Sequence, residues 1–335
     1  MRMGVLDIGS TTVRLVVADA GGALPLPVHT AKRRLRLADH VGPDRELPPE
    51  QVARIVDAVV AARAEGALWG VDQPLAFATA IVRDAPNRDE VLRAVRAGSG
   101  VALHTLSGET EAELTFLAAR RWMGWQAGPL VMLDIGGGSL EVAFGRSRMP
   151  DYAVSLPLGA GLLTRDFFGD QDPPSRRACK AVRRHARHQL RDAATRIRWE
   201  GPRTAVATSR TFQQLGRLCG APPGRFGPFV PRHLSAADLR LALPRLRRLT
   251  TAERAGLPGI SPARSWQSLA GALVAHTAMA LMNIDRLTIC PWGLRDGVLL
   301  RCIEEGNTEW WFRTARGEDP PSGAETPALQ LLPRG

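Results

Sequence analysis

Two aspartates end apolar runs and are followed by nearly the same residues, Asp7-Ile8-Gly9-Ser10-Thr11-Thr12 and Asp134-Ile135-Gly136-Gly137-Gly138-Ser139. Those residue types in that order suit phosphate. Glycine lets the backbone bend tightly and come close to a phosphoryl group. Successive turn amides can form a concave anion-binding nest, and Ser10, Thr11, Thr12 and Ser139 add hydroxyl donors. An aspartate at the strand end can hold Mg2+, directly or through water. One such turn is also an ordinary hairpin turn. Two of them, each heading a domain-sized block, describe a phosphate site in a cleft between two related halves.

The elements that must position these loops are legible in outline. Residues 4–8 and 13–18 are β-rich runs flanking a polar turn, a hairpin signal, and the design returns at 130–144. Between the hairpins, 50–65 has helical spacing behind Pro48-Pro49, 74–82 reads as a strand, and 88–97 as a helix. Strand 101–106 and helix 109–122 follow. Alternating strands and helices argue for an α/β fold. The boundary falls near 124–128, giving an N-terminal domain of 1–126 and a C-terminal domain of 127–305. Residues 306–335 read as a disordered tail, with Trp310, Trp311 and Phe312 placed to pin its start. Residues 175–199 read as one helix. Its apolar stripe is Ala178, Val182, Ala186, Leu190, Ala193 and Ile197, and Arg176, Lys180, Arg183, Arg184, Arg187 and Arg191 lie on another face.

The formal net charge is +11, carried almost wholly by arginine, since Lys32 and Lys180 are the only lysines. Taken alone, that excess fits a polyanionic partner or merely a GC-rich genome. Apolar residues at 44% and charged residues at 23% exclude wholesale disorder. No run approaches the ~20 apolar residues of a membrane span, and the charged, alternating start is not a signal peptide. Cys179, Cys219, Cys290 and Cys302 lack paired spacing, so they read as reduced thiols of a cytoplasmic protein with no zinc site. Aromatic content of 5%, with Tyr152 as the single tyrosine, is sparse for base stacking and argues against nucleic acid.

The paired loops resemble the phosphate loops of the actin/hexokinase superfamily. Within it the chain resembles the exopolyphosphatase/guanosine pentaphosphate phosphatase (Ppx/GppA) family in its short, two-domain form, from about residue 3 to residue 301. Four further segments support the likeness: Arg36-Leu37-Ala38-Asp39, Ala78-Thr79-Ala80-Ile81-Val82-Arg83-Asp84-Ala85, Leu106-Ser107-Gly108-Glu109-Thr110-Glu111-Ala112, and Leu294-Arg295-Asp296-Gly297-Val298-Leu299. The resemblance implies two actin-like (ribonuclease H-like) α/β domains with an interdomain cleft. It implies Mg2+-dependent removal of terminal phosphate from inorganic polyphosphate, in the cytoplasm and away from membranes. Hydrolysis of pppGpp, or non-catalytic sensing of polyphosphate or ppGpp, are the alternatives, and a homodimer is compatible with the family.

Residue by residue, the likeness makes Glu111 the carboxylate that activates water. An acid at a helix start is otherwise a favourable dipole contact. Asp7, Asp134 and Glu141 become the Mg2+ shell and Arg83 a phosphate clamp, while Arg295 is as readily an ion-pair partner as a ligand contact. Gly9, Ser10, Thr11, Thr12, Gly136, Gly137, Gly138 and Ser139 cradle phosphates. Lys32, Arg33, Arg34, Arg36 and Arg210 form a polyphosphate track, with the 176–191 helix face also bordering the cleft. One departure bears on substrate. Nucleotide-binding relatives carry Gly-x-Ser-Gly-Thr where this chain has Ala207-Thr208-Ser209-Arg210-Thr211. Losing both glycines and gaining a cation favours a bare phosphate chain over a nucleoside. Thr11 replaces the common Asn and keeps a hydroxyl.

Overall fold

A computed structural model of the chain describes residues 2–19, 26–37, 40–42 and 44–315. The strands are β1 (Arg2–Ile8), β2 (Thr12–Asp19), β3 (Pro27–Arg34), β4 (Leu75–Ala78), β5 (Leu103–Thr105), β6 (Leu130–Ile135), β7 (Leu140–Gly145), β8 (Tyr152–Leu156), β9 (Thr204–Ala207), β10 (His233–Ser235) and β11 (Arg286–Ile289). The helices are α1 (Pro49–Leu68), α2 (Ala80–Arg83), α3 (Arg88–Ser99), α4 (Gly108–Met123), α5 (Ala160–Phe168), α6 (Arg176–Gln189), α7 (Arg191–Glu200), α8 (Ser209–Leu218), α9 (Ala236–Arg248), α10 (Thr251–Ala255), α11 (Ser268–Leu281), α12 (Leu294–Glu305) and α13 (Glu309–Ala315).

Two sheets share one plan. The first runs β3-β2-β1-β4-β5 and the second β10-β11-β9-β6-β7-β8. In each, three consecutive strands form an antiparallel meander, and two later strands add in parallel beside the first. The central strands β1 and β6 are buried on both faces, hence Val5-Leu6 and Leu130-Val131-Met132-Leu133, all fully buried. This is the repeated actin-like α/β plan, with β10 as an extra edge strand. Both Asp-Ile-Gly segments lie at the carboxyl ends of these strands, where open α/β sheets bind ligands.

Three expectations are corrected. Strand 74–82 stops at Ala78, and Ala80–Arg83 turns into a single helical turn. The 175–199 helix bends at the fully buried Leu190, letting α6 and α7 both follow α11. The tail does not begin at Gly306. Glu309–Ala315 is a helix, and Trp310 and Trp311 are each 1% exposed. They pack with Val298, Leu299 and Cys302 of α12 against Met3, Val5, Val16 and Phe77 of the first sheet. Two buried indoles hold this segment through the large apolar area each removes from water. The chain from α12 onward therefore returns to the first half rather than staying with the second. The rest of the expected tail, 316–335, and Ala38-Asp39 of the family segment lie outside the described residues. All four cysteines are free, and no described helix is long and apolar enough to cross a membrane.

The return is locked where α12 crosses α4. A Cβ on Gly297 would lie 1.9 Å from the Leu114 carbonyl oxygen, a backbone atom that cannot swing aside. Gly297→Ala is therefore expected to destabilise the fold by about 2–3 kcal/mol. A urea unfolding midpoint equal to the wild type's would show that the two helices separate freely.

Candidate active site

The two hairpin turns close alike. Gly9 N–H donates to Thr12 O at 3.0 Å and Gly136 N–H to Ser139 O at 2.9 Å. Carbonyls of the second loop are turned toward α5: Gly136 O accepts from Ala160 N at 3.0 Å, Gly137 O from Leu162 N at 2.9 Å and Gly138 O from Gly159 N at 3.2 Å. In a trans peptide the N–H points opposite to the C=O. The amides of Gly137, Gly138 and Ser139 therefore point away from α5, on the side where these residues line the interdomain cleft. The loops face each other closely, since a Cβ on Gly137 would lie 2.3 Å from Ser10 Oγ.

Hairpin register then places the charges. Asp7 on β1 sits opposite Arg14 on β2, and Arg14 opposite Lys32 on β3. In the second hairpin Asp134 sits opposite Glu141, and Glu141 opposite Ser155. Equivalent positions thus hold an acid–base pair in one half and two acids in the other. Ser155 Oγ donates to Glu141 Oε1 at 2.9 Å, and Thr208 Oγ1 donates to Asp134. Arg295, at the start of α12, pairs with Asp7. Burial, then the neighbouring Asp134, pushes Glu141 up to about 7, and burial pushes Asp134 up to about 6.

Glu111 enters from α4. Ser107 caps that helix, its Oγ accepting from Thr110 N at 3.1 Å, which fixes Glu111 in the first turn. The residue is 5% exposed. Burial first, then Glu141, raises its pKa well above the carboxylate range, against the pull of Arg83. Arg83 pairs with Glu111, and its Nε donates to Asp84 Oδ1 at 2.9 Å.

The cleft encloses about 360 Å3. Of the residues expected at the site, it brings together Asp7, Gly9, Ser10, Thr11, Thr12, Lys32, Arg34, Glu111, Asp134, Gly136, Gly137, Gly138, Ser139, Glu141 and Arg210. Others need correction. Arg83 does not line the cleft; its guanidinium pairs with Asp84 and, behind the wall, with Glu111. Arg33 alternates to the other face of β3 from Lys32 and Arg34, and Arg36, beyond the strand end, does not line the cleft either. The cations of α6 line a different surface.

The wall also holds Arg14, Arg264 and Arg295. Arg264 has its pKa lowered to about 10 by burial and then by Arg210. Burial and then Arg14 and Arg210 lower Lys32. Arg14 was within reach of the sequence: counting back from the Gly9–Thr12 turn pairs it with Asp7. Arg264 sits between α10 and α11, and its neighbours give no signal. Asp7 Oδ1 and Arg14 Nε are buried without hydrogen-bond partners among the described residues, and both residues line the cleft. Such orphans are uncommon in native folds and mark groups suited to a ligand.

Among the described residues, no three His, Cys, Asp or Glu side chains are grouped so as to hold a metal ion by themselves. The oxygen donors nonetheless suit a hard cation. Asp134 and Glu141 repel each other, and Asp7 keeps an unpartnered oxygen. Mg2+ commonly takes only one or two carboxylates, completing its shell with water and substrate phosphate.

Comparisons with known proteins fit this geometry. The chain is 63% identical over 326 residues to an uncharacterized protein of Streptomyces coelicolor, covering 96% of this chain and 97% of that one. It is 44% identical over 306 residues to exopolyphosphatase 1 of Mycobacterium tuberculosis, covering 91% and 89%. The crystal structure of an exopolyphosphatase from Cytophaga hutchinsonii superposes with a TM-score of 0.82 over 91% of this chain and 98% of that one, at 21% identity. An Aquifex aeolicus Ppx/GppA family member gives 0.76 over 92% and 99%, at 24% identity. At those identities the structures speak for the fold alone. Residues 15–305 match the Ppx/GppA phosphatase family, and they include the second loop and Glu111. With two facing loops, a buried glutamate and an arginine-lined cleft built on the repeated fold, the chain belongs to the Ppx/GppA phosphatase family.

Proposed function

We propose that this protein is a divalent-cation-dependent exopolyphosphatase. The observation that carries the reading is the division of charge in one cleft. Carboxylates Asp7, Glu111, Asp134 and Glu141 lie with the glycine loops, and Arg14, Lys32, Arg34, Arg210 and Arg264 line the same wall. Amides of the second loop and the hydroxyls of Ser10, Thr11 and Ser139 would hold the terminal phosphoryl group. Arginines would hold the phosphates behind it through paired N–H donors. Glu111, kept in place by Arg83, would orient a water and take its proton as the water oxygen attacks phosphorus. The bridging P–O bond then breaks, and the shortened chain leaves carrying the negative charge. A Mg2+ ion held by Asp134, Glu141 or Asp7 would offset charge on the transferring group. Arg210, where nucleotide-binding relatives have glycine, makes the cleft fit a bare chain better than a nucleoside.

Orthophosphate release from tripolyphosphate, long-chain polyphosphate, pppGpp and ATP, each with and without Mg2+, tests the reading. The expected result is Mg2+-dependent release, fastest from polyphosphate. Preference for pppGpp would replace the substrate, and no release from any of the four would overturn the enzymatic reading.

A further inference from the structure

We infer that the outer face of α6, with the start of α7, is a second polyanion site, separate from the cleft, which holds the distal part of a long polyphosphate whose end is being hydrolysed. The inference rests on the polyphosphate reading of the cleft. Every exposed residue of α6 is Arg, Lys or His, and the helix carries no acid. Arg176, Arg177, Lys180, Arg183, Arg184 and Arg187 make no ion pair among the described residues. Arg176 and Arg177 sit in the first turn, the wrong end of the helix dipole for cations. Like charges also recur at i, i+4 along Arg176, Lys180 and Arg184 and along Arg183, Arg187 and Arg191, which disfavours the helix itself. Charge placement on this face therefore opposes the fold rather than supporting it.

The face contains a formed groove. Arg184, Arg187, His188, Arg191, Thr195 and Arg198 line a cavity of about 420 Å3 that shares no residue with the catalytic cleft. Arg198 is fixed in place, donating to the Leu281 carbonyl at 2.9 Å. The field extends beyond the groove: burial, then Arg183, Arg240 and Arg187, holds His276 of α11 below its ordinary pKa. No Phe, Tyr or Trp lines the groove, and its one ring is the His188 imidazole, so it offers many cations and little platform for bases. The outward side of α6 also lacks the large apolar residues by which an amphipathic helix enters a bilayer. A flexible, base-free phosphate chain matches what remains. A chain long enough to engage both sites would bind the second at high effective concentration, and one of three phosphates would not.

The test is the charge reversal Arg184→Glu/Arg187→Glu/Arg191→Glu, at exposed positions outside the cleft. We expect KM for polyphosphate of several hundred units to rise at least about tenfold, with kcat/KM for tripolyphosphate held within about twofold. An unchanged long-chain KM would overturn the site. If the reversal fails to fold, the triple Arg→Gln variant answers the same question. Binding of long-chain polyphosphate, measured in a Glu111→Gln background, separates this inference from the cleft's chemistry. Wild-type inactivity on every substrate would refute the cleft reading, whereas equal Kd with and without the reversal would refute the second site. A larger loss of binding to single-stranded RNA or to phosphatidylglycerol vesicles than to polyphosphate would overturn the assignment of the occupant.

Discussion

Glu111→Gln is expected to release orthophosphate from tripolyphosphate about a thousandfold more slowly than the wild type, while keeping its fold and its affinity for the chain. The amide is nearly isosteric and keeps an oxygen for Arg83, so the ion-pair partner is weakened rather than stranded in an empty space. What it lacks is a site for the proton of the attacking water. Burial and then Glu141 raise the carboxyl's pKa, which disfavours its basic form, and Arg83 opposes that trend. Arg83→Gln should therefore shift the acid limb of the pH–rate profile upward, because the carboxyl would then lose its proton only at higher pH. Single-turnover phosphate release and long-chain binding by anisotropy measure the two halves of the Glu111 expectation. Near-normal turnover by Glu111→Gln would move the role of base to another carboxylate in the cleft.

Much of this site was legible because hairpin geometry is local. A turn at Gly9–Thr12 fixes which residues of β1 and β2 face each other, so Asp7 and Arg14 follow from counting. The same rule gives Asp134 and Glu141. Extending the strand rule to β3 would also have separated Arg33 from Lys32 and Arg34, since neighbours on a strand alternate faces. The twofold plan was equally readable, because β1 and β6 each need an uninterrupted apolar run to be buried on both sides.

What the sequence did not show depends on partners distant in the chain. Arg83 reads as a free cation beside Asp84. Only the approach of Arg83, at the end of α2, to the first turn of α4 reveals that Glu111 engages it. The direction in which the α6 cations face depends on α11, which covers the apolar stripe Ala178, Val182 and Ala186 and leaves the charged side outward, away from the cleft. Trp310 and Trp311 could be expected to pin the start of the tail, whereas Phe312 stays exposed, and the surface the two indoles meet is a sheet built from the other end of the chain. Periodicity reports that a residue is covered, not by what.

The opposed carboxylates of the second hairpin carry the other large expectation, that Glu141→Gln makes the protein more stable as it makes it inactive. Glu141 titrates at about 7 in the folded chain, against 4.5 ordinarily, because burial and then Asp134 disfavour its charge. A carboxyl with a raised folded-state pKa contributes stability that is fully present below its unfolded pKa. That contribution is lost as pH rises through the folded value, because only the unfolded chain releases the proton at low cost. The loss thus runs from about pH 4.5 to about pH 7, and a shift of this size corresponds to on the order of 3 kcal/mol. Asp134, raised to about 6, adds to it in the same direction. The amide introduced by Glu141→Gln cannot ionise. At pH 8 without divalent cation the variant should melt several degrees above the wild type, and the gap should close by pH 5. Its phosphate release should fall about a hundredfold or more, because the divalent cation that would offset charge on the transferring group would be held less well. Adding Mg2+ at pH 8 should raise the wild-type midpoint more than the variant's, since only the wild type keeps both opposed carboxylates to attract a cation. A variant midpoint at or below the wild type's at pH 8 would mean that the pair is not strained by its own charge. The second hairpin would then not be paying in stability for a cation site, and the difference between Arg14 in one half and Glu141 in the other would need another cause.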